Sequence, residues 1–268
     1  SIIHLKLNIM PKGCLIIGLG QIGMEYDLQI PPGQAVYTHT RAFSMHPEFE
    51  LLGSVDPSAD KRSRFTQNYH KPAFSDLTEA LQHTDPQIII IASPTVYHKA
   101  ILEEVLILSK PLAILCEKPL SYDISEARMM IGLCEQKGVS LFVNYMRRSD
   151  PGVIEVRDRI LNGLIKGPIK GVAWYSKGFL HNGSHFFNML EFWLGPYQRS
   201  TVISKGRLLQ DQDSEPDIYV EFERGNITFL AAWEEAFSHY TVELLSPSGR
   251  LRYEKGGEYI SWQATQSD

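Results

Sequence analysis

The sequence lacks a marked excess of either charge, and this excludes two classes of partner. The chain has 268 residues, with 26 Lys and Arg against 31 Asp and Glu, and a formal net charge of -5 at pH 7. Its basic residues are scattered and form no cluster. Proteins that bind nucleic acid or an anionic membrane surface carry a basic patch. We therefore expect neither nucleic acid nor a membrane as a partner.

Cysteine and long apolar runs are also scarce. Cys14, Cys116 and Cys134 lie far apart and form no CxxC pair, so the sequence predicts neither a disulfide framework nor a zinc knuckle. No apolar run approaches the roughly 18 to 20 residues of a transmembrane helix. The first twelve residues lack the apolar core of a signal peptide. These absences favour a protein of the reducing cytoplasm.

Hydrophobic residues make up 43% of the chain, enough for a substantial core. The first half alternates apolar, β-branched runs with helical patterns, which is typical of a parallel sheet wrapped by helices. Helices are predicted to begin after Ser75, Thr95 and Asp123, and the last of these ends at Gly138. The predicted strands cover residues 14–20, 49–56, 87–94, 112–119 and 139–145.

The pattern changes after about residue 148. One apolar helix, residues 184–194, precedes strands separated by RGN, SPSG and KGG turns, which predict an antiparallel meander. The sequence therefore predicts an α/β protein with two domains. Residues 1–148 form a Rossmann-type domain with a doubly wound parallel sheet. Residues 149–268 form a smaller α+β domain that carries a mainly antiparallel open sheet.

A glycine-rich turn follows the first predicted strand. Residues 18–23 read GLGQIG, a GxGxxG pattern that can close a tight turn and admit a pyrophosphate to a helix N-terminus. The alternative is a glycine turn with no ligand. Context favours a dinucleotide, because the next strand ends in an acidic residue (Asp56) suited to a ribose diol. The residues assigned to the cofactor at this turn are Gly18, Gly20, Gln21, Ile22 and Gly23.

Asp56 also bears on the choice of cofactor. Its carboxylate would repel the additional phosphate of NADP, so NAD is favoured and NADP is less favoured, although Lys61 and Arg62 lie close enough to weaken the argument. The alternative role for Asp56 is a turn or helix-cap residue, because DPSAD is good turn chemistry.

The spacing from Gly23 to Asp56 is 33 residues, whereas the acidic residue is expected about 20 residues after the glycines. Residues 25–38 contain Pro-Pro-Gly and cannot continue a helix, so they are interpreted as an insertion. The helix proper is predicted over residues 39–46. The insertion is either a lid over the ligand or an ordinary surface loop.

Polar residues follow the third and fourth predicted strands. Side chains at strand C-termini face the ligand crevice of an open α/β sheet. Lys118 can orient a substrate hydroxyl or help to move its proton, and its alternative is a solvated loop lysine. The residues assigned to the cofactor at these two strand ends are Ser93, Pro94, Thr95, His98, Glu117 and Lys118.

The stretch HNGSH places His181 and His185 four residues apart before the apolar helix. A zinc site is one interpretation, but Gly183 lies between them and neither an HExxH glutamate nor a third ligand accompanies them, so no metal is predicted. A second interpretation is packing at the helix entrance, with Ser184 as N-cap. The third, which we favour, is that His185 is a catalytic acid or base. Further candidate substrate contacts are Tyr145, Arg147, His181, Asn182 and Asn188.

Five segments in this order resemble the family of glucose-fructose oxidoreductase and myo-inositol dehydrogenase (Gfo/Idh/MocA). They are GLGQIG, SVD, ASPTVYH, CEKPLSYDISEA and GSHFFN, within residues 13–195. The resemblance implies NAD(P)-dependent oxidation or reduction of a sugar, polyol or sugar nucleotide. It also implies catalytic roles for Lys118 and His185, and a homodimer or homotetramer formed through the C-terminal sheet.

Two positions and the length of the C-terminal part depart from the family pattern. The part after residue 195 is short for this family, so the second domain and its sheet are expected to be shortened. His181 and Asn188 stand where the family commonly carries aspartate, so the charge around His185 differs. Two alternatives to the dehydrogenase stay open. One is a glycosidase that keeps NAD bound; the other is a dinucleotide-binding sensor or partner protein without turnover.

Overall fold

The computed structural model describes residues 10–31, 33–209, 213–233 and 240–265. The chain divides into two compact units, Ser1–Asn144 and Tyr145–Asp268, so the division lies four residues before the predicted boundary at 148. Among the described residues, no helix is long and apolar enough to cross a membrane.

Unit 1 contains the predicted parallel sheet, with the strand order β3-β2-β1-β4-β5-β6. This is a doubly wound arrangement, because the order reverses between β1 and β4. The strands are β1 (Lys12–Ile17), β2 (Phe49–Val55), β3 (Ala73–Phe74), β4 (Ile88–Ile91), β5 (Ala113–Cys116) and β6 (Ser140–Val143). The helices are α1 (His39–Met45), α2 (Ala59–Tyr69), α3 (Leu77–His83), α4 (His98–Leu108) and α5 (Ile124–Lys137).

Both faces of the sheet are mostly buried at the central strands β1, β4 and β5, which explains the continuous apolar runs in the sequence. Along β1, Leu15 and Ile17 enter one core cluster, whereas Cys14 and Ile16 enter another. All five predicted strands are confirmed. The two-residue strand β3 is too short to leave a sequence pattern.

The predicted boundaries of α5 are confirmed, whereas α4 begins at His98, after the short helical turn Thr95–Tyr97, and not directly after Thr95. Asp123 caps α5 by accepting a hydrogen bond from the Glu126 backbone N–H, and Gly138 ends the helix with φ 67°. The predicted start after Ser75 is wrong by one residue. The adjacent Asp76 is the cap of α3, because its carboxylate accepts the Glu79 N–H at 2.8 Å.

The insertion interrupts a helix that starts at the glycine turn. The carbonyl oxygens of Ile22 and Gly23 accept hydrogen bonds from the N–H groups of His39 and Thr40, both at 3.0 Å. In a continuous helix these carbonyls would bond to the residues four positions later. His39 therefore occupies the place of residue 26, and residues 26–38 are 13 added residues. Without them the spacing from the last glycine to Asp56 returns to about 20.

A buried carboxylate organises the insertion. Asp27 has no exposed surface and accepts hydrogen bonds from the backbone N–H groups of Tyr37 (2.7 Å) and Thr38 (2.9 Å) and from the Thr38 hydroxyl (2.8 Å). Arg41 donates to the carbonyls of Ile30 (2.8 Å) and Ala35 (3.1 Å). The Thr38 hydroxyl oxygen in turn caps α1 by accepting the Arg41 N–H. The predicted insertion is thus confirmed, with its first residue at position 26 and not at position 25.

Unit 2 is built on a seven-stranded sheet with the order β15-β14-β13-β7-β12-β11-β8. Its strands are β7 (Ile169–Tyr175), β8 (Tyr197–Ser204), β11 (Asp217–Phe222), β12 (Gly225–Ala231), β13 (Tyr240–Ser246), β14 (Gly249–Glu254) and β15 (Tyr259–Ala264). The short strands β9 (Leu208–Leu209) and β10 (Asp213–Ser214) pair with each other, and the helices are α6 (Pro151–Leu161) and α7 (Ser184–Leu194).

The sheet of unit 2 is mainly antiparallel, as predicted, but it is not a simple meander. Strand β7 lies in the centre, antiparallel to β13 and parallel to β12. Helix α7 covers the inner face with Phe186, Met189, Leu190 and Trp193, which have no exposed surface. The predicted apolar helix over residues 184–194 is confirmed.

Candidate active site

The glycine turn combines two tight positions with one open position. Gly18 has φ +100°, and a Cβ added there would lie 2.7 Å from Ser93 N. A Cβ on Gly23 would lie 2.1 Å from the Gly18 carbonyl oxygen. In contrast, a Cβ on Gly20 would meet no atom within 4 Å. Gly18 and Gly23 therefore allow the turn to close, and Gly20 leaves space for a ligand to approach the backbone, as a dinucleotide pyrophosphate requires.

Asp56 is buried at the end of β2 and joins this strand end to the glycine turn. Its Oδ2 accepts the Leu19 N–H and its Oδ1 accepts the Ser58 N–H, both at 2.8 Å. Asp56 therefore has the role of a turn residue that the DPSAD pattern also predicts. This role does not exclude a ribose, because each carboxylate oxygen can accept a second hydrogen bond. The Arg62 guanidinium donates to the carbonyls of Asp56 and Pro57 at 2.8 Å, so a cation lies at the same strand end.

The loops after β4 and β5 are tied together by His98. Its side chain is almost fully buried, with Nε2 2.9 Å from the Ser93 carbonyl oxygen and Nδ1 3.2 Å from the Leu120 carbonyl oxygen. Thr95 begins a short helical turn, Thr95–Tyr97, that leads into α4. His98 thus helps to fix the loops that carry the predicted cofactor residues.

Glu117, at the end of β5, is the centre of a buried polar cluster. Its Oε1 lies 2.7 Å from His39 Nε2 and 2.6 Å from Asn144 Nδ2, and its Oε2 accepts the Lys118 backbone N–H at 3.3 Å. Burial alone would raise the pKa of this carboxyl. Hydrogen bonds from His39 and Asn144 outweigh burial, so the pKa of Glu117 lies below its usual value.

Sequence reasoning missed two members of this cluster, His39 and Asn144. Asn144 directly follows β6, so the strand-end rule applied to Lys118 also indicates this residue. His39 gives no such signal, because the insertion separates it from the glycine turn in the sequence.

Substitution of Glu117 by glutamine is expected to lower the free energy of unfolding by about 1.5–3 kcal/mol at neutral pH, because charge-assisted hydrogen bonds are replaced by weaker neutral ones. The pKa of Glu117 is lowered in the folded state, so its contribution is present above the unfolded-state pKa and is lost as the pH falls through the folded-state pKa. Urea unfolding of the wild-type protein and of Glu117→Gln across a pH series measures the difference in unfolding free energy. The exposed Glu104→Gln variant controls for loss of one carboxylate; a pH-independent difference for Glu117→Gln would contradict the prediction.

His185 lies in the first turn of α7, preceded by a π-helical turn, Phe179–Gly183. The predicted N-cap role of Ser184 is wrong, because the helical chain continues through this residue and its hydroxyl donates to the Leu180 carbonyl at 2.6 Å. The His185 ring meets the Tyr145 ring edge-on, with centroids 5.9 Å apart. Burial raises the pKa of Tyr145. Two of the predicted site residues of unit 2 are thus in contact.

Two buried carboxylates hold the turn that precedes α7. Asp213 accepts the backbone N–H groups of Leu180 and His181, both at 2.8 Å, and Glu215 accepts the Gly178 N–H at 3.1 Å. Sequence reasoning missed both residues. They come from about 30 residues further along the chain, and no local pattern connects them to the turn.

Two of the remaining predicted substrate contacts, Asn188 and Asn182, have protein partners. Asn188 Oδ1 accepts a hydrogen bond from Arg148 Nε at 2.6 Å. The buried Asn182 donates to the Ser176 carbonyl at 2.9 Å. His181 has an exposed side chain. Roles of these residues toward a substrate stay predictions.

Arg147 packs within unit 2. Its guanidinium lies over the rings of Phe186 and Tyr240, 5.5 and 5.2 Å from their centroids, and donates to the Tyr253 hydroxyl and the Gly256 carbonyl. These contacts fix its position.

Throughout residues 10–31, 33–209, 213–233 and 240–265, no three His, Cys, Asp or Glu side chains are grouped as a metal site.

Known proteins resemble this chain in sequence. The chain is 25% identical to inositol 2-dehydrogenase of Rubrobacter xylanophilus over 138 residues, which are 51% of this chain and 39% of that protein. It is 27% identical to inositol 2-dehydrogenase of Corynebacterium glutamicum over 275 aligned positions, covering 91% of this chain and 77% of that protein. The first curated relatives are thus matched over about two fifths of their length.

Solved structures show the same fold. The WlbA dehydrogenase of Bordetella pertussis, in complex with NADH and UDP-GlcNAcA, matches with a TM-score of 0.76 and 16% identity, covering 96% of this chain and 78% of that one. A family model described as an oxidoreductase family with an NAD-binding Rossmann fold matches residues 12–145, half of the chain. The protein therefore belongs to this family, the Gfo/Idh/MocA oxidoreductases.

Proposed function

We propose that this protein is an NAD(P)-dependent oxidoreductase that interconverts a hydroxyl and a keto carbon of a sugar, polyol or sugar nucleotide. The observation that carries the proposal is the glycine turn, which is closed at Gly18 and Gly23 and open at Gly20. Asp56 and the residues at the ends of β4 and β5 surround the same edge of the sheet. A bound nicotinamide dinucleotide would supply the two-electron oxidation or reduction.

The proposal gives separate tasks to two side chains. Lys118, at the end of β5, orients the reacting oxygen of the substrate through its ammonium group. His185 accepts the hydroxyl proton as a neutral imidazole during oxidation and returns it as an imidazolium during reduction. The edge-on Tyr145 ring restricts the orientation of the His185 ring.

We propose NAD as the preferred cofactor. Asp56 supports this choice, because a carboxylate at the end of β2 favours an unmodified ribose and repels a 2′-phosphate. Arg62 acts against it, since its guanidinium lies at the same strand end.

The buried, free thiols of Cys14, Cys116 and Cys134 are consistent with the reducing cytoplasm that we propose as the location.

The proposed substrate class rests on the matched relatives and on the polar side chains close to His185 in the sequence. Two matched relatives are named inositol 2-dehydrogenases, and a structural neighbour was crystallised with UDP-GlcNAcA. Polyols and sugar nucleotides share a ring of hydroxyl groups, and polar side chains near His185, such as Asn188 and the exposed His181, suit such a ring.

We further propose that two or four copies associate through the open face of the seven-stranded sheet. This face exposes Trp174 on β7, next to Leu230 on the paired strand β12, and Leu245 on β13. Large exposed apolar side chains on one sheet face are typical of a protein interface. A second copy of the same face would cover them symmetrically.

The test measures dinucleotide binding first and turnover second. Calorimetric titration is expected to show binding of NADH that is tighter than binding of NADPH. Incubation with NAD and a panel of inositols, free sugars and UDP-sugars is then expected to accumulate NADH with one of these classes. Failure to bind either dinucleotide contradicts the proposal. Glycoside cleavage without net NADH favours the glycosidase, and binding without turnover favours the sensor.

A further inference from the structure

The strand order of unit 1 assigns the two halves of a dinucleotide to different strand ends. In a doubly wound sheet the acidic residue after the second strand contacts the adenosine ribose, and the pyrophosphate lies at the glycine turn after β1. Asp56 marks the adenosine side at β2. The nicotinamide half therefore belongs on the other side of the switch point, over the ends of β4 and β5.

The cluster around Glu117 lies on this nicotinamide side. His39 comes from the helix that follows β1, Glu117 from the end of β5 and Asn144 from the end of β6. In the sheet, β4 lies between β1 and β5, so the contact between His39 and Glu117 spans two strand spacings, roughly 10 Å. A single carboxylate oxygen thus connects three elements at the carboxyl edge of the sheet.

The side chains of this cluster are mostly buried, and their hydrogen-bonding roles are fixed. The His39 and Glu117 side chains are only 9% and 11% exposed. A carboxylate accepts but does not donate hydrogen bonds, so it fixes His39 Nε2 and Asn144 Nδ2 as donors. Thr38, the cap of the His39 helix, is held by the buried Asp27 of the insertion. Glu117 also accepts the backbone N–H of Lys118.

We propose that His39, Glu117 and Asn144 are positioning residues that form the base of the nicotinamide half of the cofactor site and hold the Lys118 backbone beside it. The inference rests on the proposed function. It assigns the insertion a supporting role, because Asp27 and Thr38 fix the start of the helix that carries His39. The expected ligand group is the nicotinamide ring, which NADH contains and ADP-ribose lacks.

The test compares two substitutions of His39. In His39→Gln the side-chain amide takes the place of Nε2 and keeps a donor for Glu117, whereas His39→Met has similar length and no donor. Dissociation constants for NADH and ADP-ribose are measured by calorimetry. We expect His39→Met to weaken NADH binding about tenfold, as expected for the loss of one hydrogen bond to a charged group, and to leave ADP-ribose within about twofold. His39→Gln is expected to restore NADH binding to within about threefold of wild type.

His83→Met, the same substitution at an exposed histidine of α3, is the matched control and should change neither constant. Unchanged NADH binding in His39→Met would overturn the inference. Equal weakening of both ligands would also overturn it, because a general loss of structure does not distinguish a ligand that carries the nicotinamide ring from one that lacks it. The proposed function fails separately, if the wild-type protein binds neither NADH nor ADP-ribose.

Discussion

Replacing His185 with glutamine is expected to lower kcat by about 10² to 10⁴ on whichever substrate supports turnover, because a positioned acid or base contributes this much. Glutamine retains hydrogen-bonding groups but cannot exchange a proton near neutral pH. The dissociation constant of NADH is expected to stay unchanged, which separates proton transfer from cofactor binding. Steady-state kinetics together with NADH titration measure both quantities.

Lys118→Met provides the companion measurement. If Lys118 and His185 serve the same step, the double variant loses about as much activity as the more damaging single variant, because residues that act as a unit are not additive. His83→Gln, at an exposed site in unit 1, is the control for a histidine to glutamine change. Wild-type turnover in His185→Gln would rule out the catalytic role.

Two glycine substitutions are expected to separate folding from binding: Gly23→Ala lowers stability, whereas Gly20→Ala weakens cofactor binding. Gly23→Ala places a Cβ 2.1 Å from the Gly18 carbonyl oxygen. A backbone atom cannot rotate away as a side chain can, so we expect a loss of at least about 3 kcal/mol, the upper end of overpacking costs. Gly20→Ala meets no atom within 4 Å, and its unfolding free energy is expected to change by no more than about 1 kcal/mol.

The same Gly20→Ala methyl group would occupy the space needed for a pyrophosphate. NADH affinity is therefore expected to fall by about 10- to 100-fold, which corresponds to an overpacking cost of roughly 1–3 kcal/mol. Urea unfolding without ligand and calorimetric titration with NADH measure the two effects. A Gly20→Ala protein that binds NADH as well as wild type would show that the ligand does not approach the turn at this residue.

The sequence predicts those features of the fold that depend on neighbours along the chain. The central strands of unit 1 are evident because both of their faces are mostly buried, so their apolar runs are continuous. The insertion is evident because Pro-Pro-Gly and a spacing of 33 residues conflict with an uninterrupted helix. Glu117 and Lys118 are indicated because strand C-termini share one edge of the sheet.

The features that the sequence does not reveal depend on contacts between distant residues. The parallel pairing of β7 with β12 is not encoded by any turn, since turn signals describe only consecutive strands. The contact of His39 with Glu117 joins residues 78 positions apart, and Asp213 reaches Leu180 across 33 positions. Ser184 resembles an N-cap residue, but the preceding π-helical turn already supplies the hydrogen bonds that a cap would make.

The residues that flank the insertion are hydrogen-bonded to each other as in one turn of a helix, and this has an energetic consequence. The ends of the insertion are already adjacent, so the closure entropy of a 13-residue segment is set by the segment itself and grows only slowly with its length. The insertion therefore changes neither the pairing of the sheet nor the hydrogen-bond register between the glycine turn and α1. It adds a buried polar cluster, centred on Asp27, next to the glycine turn.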